Sequence, residues 1–194
     1  MRYSLGIVAI LFAISVSLAA SSVTNGDFET ALTGWEASAE AGATVSVSGD
    51  KPHGGKGSML LQSGLKASAA AVSSPLTEAK TGDVLQVTFF ARRPQGSAIL
   101  LLDLVGSSSE LSDMGIWEAR LPADANWHKV ALLVKIPSFT GGQARLAFKS
   151  LGGPGSWQID DLSVQPAATP AFAAVDQTGV APVTTRLPDG WAPE

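Results

Sequence analysis

The chain has 194 residues, 45% of them hydrophobic, and sets 13 basic against 17 acidic side chains for a formal charge of −4. It contains no cysteine, which excludes a disulfide framework, thiolate metal sites, a cysteine nucleophile and a cysteine-linked lipid anchor. The basic residues are scattered and form no stripe, so the positive footprint that nucleic-acid binding requires is missing.

Residues 1–20 read as a secretory signal peptide: Arg2 is the charged n-region, 5–18 the apolar run, and Ser17, Ala19, Ala20 and Ser21 supply small residues for cleavage. The run is shorter than the roughly 20 residues that span a bilayer. Cleavage between Ala19 and Ser22 is expected, which makes the protein secreted, periplasmic or held at the cell surface, with no membrane span in its mature form.

The mature chain then reads as short strands. Residues 43–48 alternate apolar and polar, and 58–63 form a short apolar run between Gly57 and Gly64. The Ala-rich stretch 65–71 is too short to stand as a helix and suits an edge strand. In 83–92, Leu85, Val87, Phe89 and Ala91 share one face, with Gln86, Thr88, Phe90 and Arg92 on the other. Residues 98–105 are apolar almost throughout, as in a central strand covered on both sides. Residues 128–136, with Val130, Leu132, Val134 and Ile136 on one face, then 145–149 and 157–164 complete the set. Crossover helices have no room, so the fold class is all-β, a sandwich or barrel of antiparallel strands. The domain is expected over 22–165. Beyond it, Pro166, Pro170, Pro182, Pro188 and Pro193 punctuate Ala, Thr and Val, so 166–194 reads as a linker or disordered tail, with Trp191 an unusual residue for one.

Separated motifs in this order resemble one family. They are Val23-Thr24-Asn25-Gly26-Asp27-Phe28-Glu29 followed by Gly34-Trp35, then His53-Gly54-Gly55-Lys56-Gly57-Ser58-Met59-Leu60-Leu61. The strand from Gly82 to Ala91, Asn126-Trp127-His128-Lys129-Val130, and Trp157-Gln158-Ile159-Asp160-Asp161-Leu162-Ser163-Val164 follow. Over 23–164 the chain is similar to the carbohydrate-binding modules of the CenC-like group, families 4, 9 and 22, with a galactose-binding-like jelly roll. The resemblance implies two stacked antiparallel sheets and a polysaccharide or other glycan as partner. It also implies a structural Ca2+ where the N-terminal segment meets the last strand, and framework positions in the core for Trp35 and Trp127.

Period-2 alternation puts Asp160 on the face of Leu162 and Val164, toward the interior, unless a bulge exchanges it with Asp161. A buried carboxylate needs a partner. Calcium is one, with Glu29 by family position, Asp50, and His53 with the carbonyls of 51–53 as further ligands; backbone amides or Lys51 are the other. For the glycan, Trp117 is the stacking candidate, though an inward position beside Ala119 and Leu121 fits equally. Asp103, Gln86 and Arg92, with Thr88, are its candidate polar partners. Trp157 shares a face with Ile159 and belongs in the core.

Catalytic patterns are missing: His53 and His128 are far apart and outside any HExxH spacing, there is no Gly-x-Ser-x-Gly elbow, and the glycines at 152–155 lack the lysine of a phosphate loop. The sequence therefore points to a non-catalytic, secreted, monomeric glycan-binding domain. A surface or matrix interaction module of the same fold is the alternative, favoured by the absence of any tyrosine except Tyr3. A small glycan-active hydrolase is the third reading, and it requires two converging carboxylates.

Overall fold

The computed structural model describes residues 23–106, the backbone of 113–118, and residues 121–122, 124–137 and 143–167. Residues 1–20, read as a signal peptide, and those from 168 onward, with Trp191, lie outside the described residues.

Among the described residues the structure is all strand and turn. In chain order the strands are β1 (Trp35–Ala39), β2 (Thr44–Ser48), β3 (Ser58–Ser63), β4 (Ala69–Ser73), β5 (Val84–Gly96), β6 (Ile99–Gly106), β7 (Asp113–Glu118), β8 (His128–Lys135), β9 (Ala144–Leu151) and β10 (Gly155–Pro166). They form two five-stranded antiparallel sheets, ordered β1-β4-β9-β6-β7 and β2-β3-β10-β5-β8. This is the jelly-roll sandwich expected.

Alternation builds the core. Leu85, Val87, Phe89 and Ala91 of β5 are fully buried, and face Leu100, Leu102 and Leu104 of β6 and Leu146 and Phe148 of β9 in one cluster. Phe89 meets Phe148 edge-on at 5.0 Å, and Trp35 lies between Phe28 (5.4 Å) and Phe148 (6.1 Å). Each such large side chain contributes roughly 1.5–3 kcal/mol by leaving water. Trp157 is also inside, its Nε1 donating to the Ala98 carbonyl at 2.9 Å.

Three expectations need correction. The Ala-rich stretch is no edge strand, because β4 lies between β1 and β9. The edge belongs to β1, whose single buried residue, Trp35, leaves almost no alternation to read. Trp127 stays outside the core cluster and is half-buried on the outer surface. Third, Asp160 does not share the face of Leu162 and Val164. The β10–β5 register shifts between Asp160 and Ser163, and Asp161 sits in the left-handed region at φ 49°. The bulge absorbs one residue, so Ile159, Leu162 and Val164 all point inward while Asp160 lies opposite Phe90 on the outer face.

The first and last segments lie side by side. The Leu162 N–H donates to the Gly26 carbonyl at 2.9 Å. A Cβ on Gly26 would fall 2.2 Å from the Leu162 carbonyl oxygen, so that approach requires glycine.

Candidate functional site

The outer face of the β2-β3-β10-β5-β8 sheet carries two polar features. One is a carboxylate latch on the loop between β2 and β3. Asp160 is fully buried beneath this loop. Its Oδ2 accepts the N–H groups of His53 (2.9 Å) and Gly54 (3.1 Å), and its Oδ1 accepts the Asp161 N–H (2.8 Å). Burial pushes the Asp160 carboxyl above its ordinary pKa, and the Gly54 and Asp161 amides pull it part of the way back. Glu29 clamps the far end of the loop, its Oε1 accepting the Lys56 (2.6 Å) and Gly57 (3.0 Å) N–H groups, and these two bonds hold its carboxyl below the usual range. Asp161 Oδ2 reaches His53 Nδ1 at 2.6 Å. A Cβ on Gly55, at φ 52°, would lie 2.2 Å from Glu29 Oε1, so the glycines of His53-Gly54-Gly55-Lys56-Gly57 let the amides reach the acids.

The four expected calcium ligands meet this loop in different ways. Glu29 and Asp160 grip it from two sides. The Asp50 side chain is 74% exposed and turned toward Arg92, and the His53 ring stacks on Phe90 at 3.5 Å. Among the described residues no group of three or more His, Asp or Glu side chains is gathered to hold a cation. Calcium takes about six to eight oxygens, whereas the loop turns N–H groups to both carboxylates. The arrangement does not fit a calcium cage; backbone amides compensate Asp160 instead.

The four expected glycan contacts do not come together. Arg92 is buried, with Nε on Gln158 Oε1, Nη2 on the Asp50 carbonyl (2.7 Å) and its guanidinium 5.2 Å from the Trp127 ring centroid. Its donors are spent inside the protein, with Trp127 Nε1 bonded to the Lys51 carbonyl at 3.0 Å beside it. Asp103 belongs to the other sheet, fully buried against the Lys149 ammonium. Trp117 is placed by register opposite Leu102 of β6, and its side chain lies outside the described parts of the chain. Gln86 alone faces an open concavity.

That concavity is the second feature, a groove of about 260 Å³ lined by Gln86 and Thr88 of β5, Lys129 of β8, and Ser163 and Gln165 of β10. Pairing builds it in rows. Gln165 lies opposite Gln86, which lies opposite Leu133, and Ser163 lies opposite Thr88, which lies opposite Ala131. Leu133 is 60% exposed at the groove's edge. Two amides, two hydroxyls and an ammonium thus stand on rigid strands about 5 Å apart. Lys129, Ser163 and Gln165 escape a reading of the sequence because only strand pairing brings them to Gln86.

No family model matches the sequence, and no curated protein matches it. Solved structures do share its fold. A family 4 carbohydrate-binding module superposes with a TM-score of 0.57 at 15% identity, over 75% of this chain and 100% of its own. The C-terminal family 22 carbohydrate-binding module of Clostridium thermocellum Xyn10B gives 0.52 at 19%, over 75% and 98%. The enzymatically active domain of tailspike protein 4 from bacteriophage CBA120 gives 0.59 at 18%, over 75% of this chain, which spans only 21% of that one. The sandwich is therefore the jelly roll of carbohydrate-binding modules, a fold that also occurs within larger chains.

Proposed function

We propose that this domain is a non-catalytic glycan-binding module and that the Gln86–Gln165 groove is its contact surface. The observation that carries the reading is the row Gln165–Gln86–Leu133, flanked by Ser163 and Thr88. A sugar ring presents hydroxyls around its rim and C–H groups on its faces. Primary amides donate and accept at once and suit the rim; the exposed Leu133 suits a face. Each bond replaces one to water and nets only about 0.5–1.5 kcal/mol, so affinity requires several on a preformed surface. Strands supply that surface at little ordering cost. Among the described residues the groove's lining holds no carboxylate or imidazole, and so no acid–base pair for glycoside hydrolysis. The fold shared with family 4 and family 22 modules supports the reading, and export by the 1–20 leader would deliver the domain, as a monomer, to extracellular polysaccharide.

Affinity electrophoresis through gels containing a panel of polysaccharides tests this. The protein is expected to be retarded by at least one polymer, and the Gln86→Ala/Gln165→Ala double variant to run free with an unchanged Tm. Retardation by none would refute the proposal. A second reading, a matrix module that contacts protein, is favoured by the lack of an aromatic side chain in the lining. It predicts binding to matrix protein that free oligosaccharides do not displace.

A further inference from the structure

Resting on the glycan-binding reading, we infer that the ligand is an anionic polysaccharide whose sugar carboxylates pair with Lys129. Among the described residues, Lys129 is the one charged side chain in the lining of the groove. Its ammonium makes no hydrogen bond or ion pair with another described residue. Its nearest cross-strand neighbour is Phe90, one row from the Thr88 and Ser163 hydroxyls.

The acids that would neutralise it are engaged elsewhere. Asp160 is held by three backbone amides and Asp161 by His53. Along the outward positions of β5 and β8 the side chains are Gln86, Thr88, Phe90 and Arg92, then Lys129, Ala131, Leu133 and Lys135, with no acid among them. A chain of formal charge −4 therefore presents a locally positive floor. At physiological salt the screening length is about 8 Å, so a ligand seated in the groove meets Lys129 and little of the distant negative charge.

A uronic acid matches the rest of the lining. Its carboxylate is attached to the ring that carries the hydroxyls, so one sugar engages the ammonium and the amide–hydroxyl rows together. A neutral sugar offers the exposed ammonium only hydroxyl oxygens in place of water. A sulfate ester shares the anionic chemistry, and the test separates the two.

Affinity electrophoresis and calorimetry would compare polygalacturonate and alginate with neutral galactan and with dextran sulfate, at low and high salt. The expected result is preference for the polyuronates, weakened by salt. Lys129→Ala should cut polyuronate affinity about tenfold, the scale of one charge-assisted hydrogen bond, with Tm unchanged and most of the affinity kept in Lys129→Arg. Lys135→Ala, outside the groove, should have little effect. Equal binding of galactan with no loss in Lys129→Ala overturns the inference but leaves glycan binding standing. Preference for dextran sulfate, or equal losses in Lys135→Ala and Lys129→Ala, also overturns it. No binding to any polymer removes the glycan reading itself.

Discussion

Two acids at the same loop have their pKa values shifted in opposite directions. The folded pKa of Glu29 is depressed by the Lys56 and Gly57 amides. Its contribution is therefore fully present above the unfolded value near 4.5 and is lost as pH falls through the folded value. Asp160 is raised by burial, so its contribution is present at low pH and fades as pH rises through its folded value. Urea unfolding across about pH 2–7 should show Glu29→Gln less stable than wild type at neutral pH, and the gap should close as acid protonates Glu29. A gap independent of pH would mean that Glu29 acts through packing and not through its charge. The amide-filled latch also predicts that thermal unfolding is the same in chelator and in excess calcium. An ion bound at a hundred times its Kd would add about 2.7 kcal/mol, a shift of several degrees that would restore calcium to the loop.

At the level of strands, β10 depends on one residue. Asp161, at φ 49°, absorbs the extra step that lets Ile159 and Leu162 both face the core. Deleting Asp161 removes the extra residue and keeps Ile159, Leu162 and Val164 inward by simple alternation, but takes away the N–H that Asp160 accepts and the carboxylate on His53. The deletion variant is expected to keep a cooperative thermal transition at a lowered Tm; loss of that transition and of near-UV circular dichroism would show that the bulge itself sets the strand's register. Most strands were legible because their core faces alternate, β5 most plainly. Two escaped notice. β1 buries only Trp35, and β7 lies in a stretch read for Trp117 and not for strand pattern. Asp160 follows the bulge that stands as the exception to alternation, and alternation alone does not say where a bulge falls, although an aspartate at 161 tolerates the left-handed conformation better than most residues. Trp127 was misplaced because a tryptophan next to a strand looks like core, whereas Arg92, His53 and the Lys51 carbonyl give it a half-buried place outside.

For the molecule as a whole, the sandwich was readable from the sequence and the site largely was not. Gln86 was visible as an outward polar residue on a strong strand. Its partners Ser163 and Gln165 come from a strand more than seventy residues further on, brought there only by the β10–β5 pairing. Asp103 seemed a companion because a single sequence does not say which sheet a strand joins, and β6 joined the other one. Each sheet therefore offers a polar outer face, one with the open Gln86–Gln165 groove and one with the buried Asp103–Lys149 pair. The central claim is that the first of these holds the sugar. Amide chemical-shift mapping of the full chain during titration with a galacturonate oligosaccharide tests it most directly. The account predicts saturable shifts centred on Gln86, Thr88, Lys129, Ser163 and Gln165. Shifts gathered around Asp103 and Lys149 on the opposite sheet, or no shifts at all, would contradict it.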